Sequence, residues 1–117
     1  MKTTEHNLQS SCFKWFRLQY PKLSLNLFSI PNGGRREIAS GRWYVAEGLT
    51  RGVADCFLAV PSGELHGAFI EFKSKVGRQT AAQRDFQLSV FRYDYCYWIV
   101  KDIEQFIVLI KNYLQKV

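Results

Sequence analysis

The chain has 117 residues and a mass of 13.6 kDa, and its 47% hydrophobic and 22% charged residues are near the averages for a folded globular protein. We therefore expect a single domain over residues 1–117, which excludes a disordered or low-complexity scaffold. The longest purely apolar run, residues 95–100, is far below the roughly 20 residues of a membrane span, and the N-terminus lacks a signal-peptide pattern. We expect a cytoplasmic protein without membrane association.

The charge balance favours a polyanionic partner. Sixteen Lys and Arg residues against ten Asp and Glu residues give a net charge of +6 and a pI near 9.4, and nucleic acid is the commonest partner of so basic a small protein. The three cysteines, Cys12, Cys56 and Cys96, are far apart and form no C-x-x-C pair. They predict neither a zinc knuckle nor a redox motif, and free thiols fit a reducing compartment.

The first half of the chain predicts a helix, a strand and a second helix. Apolar residues recur at helical spacing over residues 5–20, and Pro21 ends the run. Residues 25–30 alternate between apolar and polar and predict a strand. Residues 38–47 predict a short helix, after which Gly48 suits the left-handed position.

The second half predicts two strands, a helix, a strand and a last helix. Strands at residues 56–60 and 68–73 flank a turn-rich segment and should form a hairpin. A capping-box pattern opens a helix over residues 80–91, and residues 95–100 form another strand. The last helix begins near Asp102 and carries one apolar stripe: Ile103, Phe106, Ile107, Ile110 and Leu114. The order α-β-α-β-β-α-β-α predicts an α/β fold with a mixed sheet flanked by helices.

Charged residues end the strand at residues 68–73. Alternate side chains of a strand share a face, so Glu71 and Lys73 point the same way as Phe69. The strand is apolar on both faces and should be central and buried, where an unpaired charge is costly. By itself, this pattern fits an ion pair between Glu71 and Lys73 as well as a metal site.

Asp55 shifts the balance toward the metal site. It directly precedes the strand at 56–60, and the hairpin would bring it close to Glu71 and Lys73. Two carboxylates about 4 Å apart repel by roughly 4 kcal/mol at an effective dielectric of about 20, so such a pair shares a proton or binds a cation. Mg²⁺ is typically held by one or two carboxylates, waters and substrate phosphate. Taken alone, Asp55 also fits a turn or cap residue.

Four blocks along the chain carry a family resemblance: FSIPNGGRR at residues 28–36, GLTRGVAD at 48–55, IEFK at 70–73 and GRQT at 77–80. In this order they resemble the metal-dependent PD-(D/E)XK nucleases. More closely, they resemble the virus-type replication-repair nuclease (VRR-NUC) domain of phage proteins and of the Fanconi-associated nuclease. The resemblance implies a restriction-endonuclease-like fold. One departure is Ala54, where the family usually has proline.

The resemblance also implies roles for individual residues. Asp55 and Glu71 would be metal ligands, and Lys73 would be the catalytic lysine. Glu5 matches an acidic residue on the family's first helix and would be a further metal ligand, although an acid in a first helical turn is also favourable by itself. Gln83 matches a family glutamine after the E-x-K strand and would orient water or a ligand, although the capping box explains it equally well.

Five basic residues near these blocks are expected to contact DNA phosphates: Arg35, Arg36, Arg51, Lys75 and Arg78. A solvated surface is their ordinary alternative. His6 and His66 lack partners at metal-ligand spacing and are expected to have no site role. The aromatic residues at 93–98 fit core or interface packing better than base stacking.

The expected function is a Mg²⁺- or Mn²⁺-dependent endonuclease that hydrolyses phosphodiester bonds in DNA. The resemblance to stand-alone phage-type members implies a homodimer acting on branched DNA such as four-way junctions, with no small-molecule cofactor. Two alternatives remain open at this point: a non-catalytic DNA-binding module of the same fold, and an RNA-processing nuclease.

Overall fold

A computed structural model describes residues 3–31 and 45–117 of the chain. Its elements, in chain order, are α1 (Thr3–Gln19), a 3-10 helix (Pro21–Asn26), β1 (Leu27–Ser29), β2 (Cys56–Leu58), β3 (Gly67–Phe72), α2 (Ala81–Phe91), β4 (Tyr95–Val100) and α3 (Ile103–Leu114). None of the helices in these residues has the length and apolar character needed to cross a bilayer.

The strands form one mixed sheet of four strands in the order β1-β2-β3-β4. The predicted hairpin is confirmed, because β2 and β3 pair antiparallel with Cys56 opposite Ile70. β1 also pairs antiparallel with β2, whereas β3 and β4 are parallel. A parallel pair needs a crossover connection, and α2 supplies it. This topology places β2 and β3 at the centre of the sheet.

One face of the sheet packs against α1 and α3 and forms the hydrophobic core. Its fully buried side chains are Cys12, Phe16, Cys56, Leu58, Ile70, Phe72, Phe106 and Ile110. Burying each large apolar side chain contributes about 1.5–3 kcal/mol, so this face supplies much of the stability. The predicted orientation of Ile70 and Phe72 toward one side of β3 is confirmed.

The opposite face of the sheet carries aromatic rings beneath α2. Phe69 lies between Phe57 and Phe86, with ring centroids 4.5 and 5.0 Å away, and Phe86 also contacts Tyr97 at 6.2 Å. Tyr97 is buried. Thus part of the aromatic segment at residues 93–98 packs inside the protein, as the sequence suggested.

Two predicted elements differ from the structure. Residues 25 and 26 belong to the 3-10 helix that begins at Pro21, and the strand starts only at Leu27. The side chain of Leu25 is 92% exposed, so its apolar character was a misleading signal for a strand. In α3, the buried residues are Phe106, Ile110 and Tyr113. Tyr113 was not in the predicted stripe, and its hydroxyl donates to the Val60 carbonyl at 2.6 Å.

The helix predicted over residues 38–47 lies mostly outside the described residues. Val45 and Ala46 are helical, and Gly48 has a φ of +107°. This backbone conformation favours glycine and agrees with its predicted position after a helix.

Candidate active site

An open cleft with a volume of about 1120 Å³ lies where β3 ends. Its described lining comes from distant parts of the chain: one side of α1, residues 28–31, residues 50–53, the first turn of α2, and the side chains Asp55, Glu71 and Lys73. The fold thus brings the predicted carboxylates and lysine into one cleft.

Asp55 is held through both its backbone and its side chain. Its carbonyl accepts the Ile30 N–H at 2.7 Å, and its Oδ2 accepts the Phe72 N–H at 2.7 Å. Burial raises the pKa of Asp55, while the Phe72 hydrogen bond and the charge of Lys73 act in the opposite direction. The preceding Ala54 is fully buried. These contacts orient the carboxylate although the chain lacks the proline that the family usually has at residue 54.

Glu71 is a buried carboxylate, and only one of its two oxygens has a partner in the described residues. The residue is 5% exposed, its Oε2 accepts from Gln83 Nε2 at 2.9 Å, and Lys73 Nζ lies 3.6 Å from the same oxygen. Its Oε1 is buried and has no hydrogen-bond partner in the described part of the chain. Burial, followed by the charge of Asp55, raises the pKa of Glu71 to about 7. Such an oxygen is suited to accept a cation or a proton.

Lys73 follows β3 directly, and its backbone N–H donates to the Val100 carbonyl at 3.0 Å, which continues the pairing with β4. Its side chain therefore leaves the sheet at a defined position beside Glu71. The ion pair that the sequence suggested is present, and it lies inside the cleft. The ion-pair and active-site interpretations are thus compatible.

Gln83 serves two contacts with opposite ends of its amide. The Thr80 N–H donates to Gln83 Oε1 at 2.8 Å, and the Gln83 N–H donates to Thr80 Oγ1 at 3.1 Å, so the predicted capping box is confirmed. Its Nε2 remains available and donates to Glu71. The cap therefore fixes the amide that orients the Glu71 carboxylate.

Glu5 lies at the same end of the cleft. Its Oε2 accepts the Ser74 N–H at 3.3 Å. Its charge contributes to raising the pKa of both Asp55 and Glu71, after the larger effect of burial. Glu5 thus belongs to the electrostatic environment of the two carboxylates.

The donor set fits a hard divalent cation. Among residues 3–31 and 45–117, no three His, Cys, Asp or Glu side chains are close enough together to form a ready-made chelate. Mg²⁺ nevertheless needs only one or two carboxylates, because waters and substrate phosphates complete its coordination. Asp55 and Glu71 meet that requirement, and the partnerless Glu71 Oε1 offers a free oxygen ligand. That Asp55, Glu71 and Glu5 act as metal ligands stays a prediction.

The predicted DNA-binding residues fall into three groups. Arg51 lines the cleft. Lys75 and Arg78 are exposed in the loop between β3 and α2, outside the described lining. Arg35 and Arg36 lie outside the described residues.

Sequence reasoning missed one wall of the cleft. The side of α1 that faces it carries His6, Gln9, Ser10, Phe13 and Arg17 in addition to Glu5. His6, which was expected to have no site role, also lines this cleft. The available signal was the helical spacing from Glu5, since residues three and four apart share a face. Phe28 was also missed as a cleft residue, because a strand pattern does not show which face is open.

The mixed sheet between helices, with acidic side chains at the ends of its central strands, is a restriction-endonuclease-like α/β fold of the VRR-NUC type. A solved structure described as a VRR_NUC domain protein matches it with a TM-score of 0.84 and 22% sequence identity, over 99% of this chain and 92% of that chain. No protein-family model and no curated protein matches the sequence. The structural likeness confirms the fold that the four motifs predicted.

Proposed function

We propose that this protein is a metal-dependent DNA endonuclease that selects branched DNA, such as four-way junctions, and hydrolyses phosphodiester bonds with Mg²⁺ or Mn²⁺. The observation that carries the proposal is the convergence of Asp55, Glu71 and Lys73 in one cleft, with Glu71 Oε1 buried and without a partner in the described residues. The VRR-NUC fold and the net charge of +6 support the same conclusion.

Asp55 and Glu71, with Glu5 beside them, are the residues that would hold the cation. When bound, a divalent cation polarises the scissile phosphate and produces hydroxide from water near neutral pH. Asp55 is kept in place by the Phe72 N–H, and Glu71 by the Gln83 amide. This orientation before substrate binding reduces the reorganisation that hydrolysis requires.

Lys73 would stabilise the transition state of the hydrolysis. Its ammonium group lies 3.6 Å from Glu71 Oε2 in the cleft, so it is positioned to neutralise negative charge that develops on the attacked phosphate. Arg51, also in the lining, would hold a neighbouring phosphate. Both side chains would contact the phosphate backbone of the DNA and not its bases. We therefore expect the protein to select its substrate by DNA shape and not by base sequence.

The proposed test compares linear, flap and four-way junction DNA, and an RNA duplex, each labelled and incubated with Mn²⁺, Mg²⁺, Ca²⁺ or a chelator. We expect cleavage of branched DNA with Mn²⁺ and Mg²⁺, and binding with little cleavage with Ca²⁺. Cleavage that persists in the chelator would contradict the metal mechanism. Preferential cleavage of RNA would contradict the proposal that DNA is the substrate.

Two variants test the site itself. Asp55→Asn keeps an oxygen for the Phe72 N–H but removes the charge, and Lys73→Met removes the ammonium group. Each should lower the cleavage rate by roughly 100-fold or more. Asp85→Asn and Lys14→Met are matched controls, because both residues are exposed on helices and neither is in the described lining. Wild-type rates in Asp55→Asn or Lys73→Met would exclude this site.

We also propose that the protein acts as a homodimer. One metal site cuts one strand, and symmetric cleavage of a four-way junction needs two sites related by a two-fold axis, as in the commonest class of soluble oligomer. Leu88, Phe91 and Tyr93, around the end of α2, are 66–68% exposed. This apolar patch is our candidate for the interface.

A further inference from the structure

The cleft is longer than hydrolysis of one phosphodiester bond requires. The side of α1 that lines it, here called the α1 strip, consists of Glu5, His6, Gln9, Ser10, Phe13 and Arg17. At a rise of about 1.5 Å per residue, the helix between the first and last of these covers about 18 Å. Glu5 lies at the carboxylates, so Arg17 marks a point well away from them.

The far end of the α1 strip carries an available positive charge. Arg17 is exposed, and its guanidinium carbon lies 5.3 Å from the ring centroid of buried Phe13. This cation–π contact limits the freedom of the side chain without neutralising its charge. Between the two ends, Gln9 Oε1 is buried without a hydrogen-bond partner in the described residues. The strip thus offers polar contacts along its length and a cation at its end.

Phe28 adds an open aromatic ring to the same cleft. It lies on β1 and is 45% exposed. Its ring contacts Phe57 with centroids 6.0 Å apart at 65°, and Phe57 in turn packs on Phe69. The ring is therefore held in place from below while part of it stays open.

We infer that the α1 strip and Phe28 bind single-stranded nucleotides flanking the scissile phosphate, with Arg17 on a backbone phosphate and Phe28 stacked on an unpaired base. The inference rests on the proposed function and deepens it by naming unpaired nucleotides next to the branch point as the element that the cleft binds. A cationic groove with an aromatic platform is the usual combination in single-strand binding, because an unpaired base exposes a face for stacking and a base inside a duplex does not.

The test measures binding in a chelating buffer, where cleavage does not interfere. The probes are a fluorescent thymidine oligonucleotide of about 12 nucleotides and a blunt duplex of the same length. Arg17→Ala and Phe28→Leu should each weaken single-strand binding by about tenfold and change duplex binding by less than about twofold. Phe28→Leu retains apolar volume, so the fold is preserved while the stacking surface is lost; Phe28→Tyr should restore binding.

The salt dependence separates the two roles. Loss of one phosphate contact should reduce the slope of log K against log salt by about 0.7 for Arg17→Ala, and leave it unchanged for Phe28→Leu. Lys14→Ala removes the same charge from α1, and Leu25→Ala removes another exposed apolar side chain; neither residue is in the described lining. Equal effects in these controls, or equal losses on the duplex, would overturn the inference.

Cleavage assays on a branched substrate with Mn²⁺ keep this inference separate from the proposed function. If the wild type cleaves but Arg17→Ala and Phe28→Leu bind single strands normally, the inference is wrong and the nuclease proposal stands. If no DNA is cleaved but single-strand binding depends on both residues, the inference stands and the nuclease proposal is wrong.

Discussion

Gly52 lies where the loop before Asp55 crosses the first turn of α2. A Cβ atom at this position would lie 2.2 Å from the carbonyl oxygen of Ala82 and 2.9 Å from the backbone nitrogen of Gln83. Its φ of +87° is also one that L-residues rarely adopt. The loop can approach the helix only because no side chain intervenes, and this approach brings the segments of Asp55 and Gln83 together.

We expect Gly52→Ala to lower the free energy of unfolding by about 3–4 kcal/mol, since backbone atoms must move and φ is strained. Gly48→Ala is the matched control: its φ is +107°, but nothing lies within 4 Å of the added methyl group. It should cost only about 1–2 kcal/mol, for backbone strain alone. Urea unfolding measures both, and equal losses would contradict the packing role of Gly52.

Glu71 makes stability depend on pH in a defined direction. Its pKa is raised on folding from an ordinary value of 4.5 to about 7, so the folded state binds this proton more tightly than the unfolded state. The stabilisation from this proton is therefore fully present when the pH is below the pKa of the unfolded state. It decreases as the pH rises from that pKa to the pKa of the folded state, and it is lost above the latter. At about 1.4 kcal/mol per pKa unit, the ionised carboxylate costs up to about 3 kcal/mol.

Glu71→Gln should remove this pH dependence, because the amide does not ionise and its oxygen can still accept from Gln83. We expect the variant to be more stable than the wild type near pH 8 by up to about 3 kcal/mol, with little difference near pH 4. Urea unfolding in a chelating buffer at both pH values measures the effect. A stability gain that is the same at both values would show that the Glu71 charge is not its cause.

Two helices show the same capping chemistry with different consequences for the site. Thr80 Oγ1 caps α2, where Gln83 also contacts Glu71, whereas Asp102 Oδ1 caps α3 by accepting the Gln105 N–H at 2.8 Å. Only the cap of α2 is therefore linked to a candidate catalytic carboxylate.

We expect Thr80→Ala and Asp102→Ala each to lower stability by about 1 kcal/mol. Only Thr80→Ala should also slow cleavage, by about tenfold, because the amide that orients Glu71 loses its support. Thermal melts and a junction-nicking assay separate the two readouts. A similar loss of cleavage rate in Asp102→Ala would show that reduced stability, not loss of orientation, explains the effect.

At the scale of the whole molecule, the apolar surface that stays exposed after folding marks our candidate for the proposed dimer interface. Tyr97 of β4 and Phe106 and Tyr113 of α3 are buried in the protein and offer little surface to a second copy. The exposed patch of Leu88, Phe91 and Tyr93 remains at the end of α2. A second copy that covers this patch would remove it from water.

Light scattering at micromolar concentration should give twice the monomer mass of 13.6 kDa. Phe91→Asp should convert the dimer to a monomer, because a charge in a closed apolar interface is costly. Val76→Asp is the control, as Val76 is 86% exposed and outside the patch. A wild-type mass near 13.6 kDa, with or without DNA, would contradict the dimer.

A mixed dimer links assembly to function. Wild type paired with Lys73→Ala should nick one strand of a junction without releasing paired nicked duplexes, since only one of its two sites is active. Coordinated cleavage of both strands by the mixed dimer would contradict the requirement for two sites.

The sequence by itself determined the parts of this protein that depend on neighbours along the chain. Helical spacing, the capping box at Thr80 and the alternation around Ile70 are local patterns, and the structure confirms them. The hairpin followed from the turn-rich segment between two strands, and with it the proximity of Asp55 and Glu71. The resemblance of the four sequence blocks to VRR-NUC domains predicted the fold.

Only the tertiary structure decided how the cleft is walled and which surfaces remain exposed. Arg17 and Phe28 line the same cleft although they belong to different elements, and no spacing along the chain encodes that arrangement. The close approach at Gly52 and the partnerless Glu71 Oε1 likewise arise between segments far apart in sequence. The physical reason is that burial and pKa depend on every group packed around a side chain, whereas a sequence pattern reports only the neighbours on its own element.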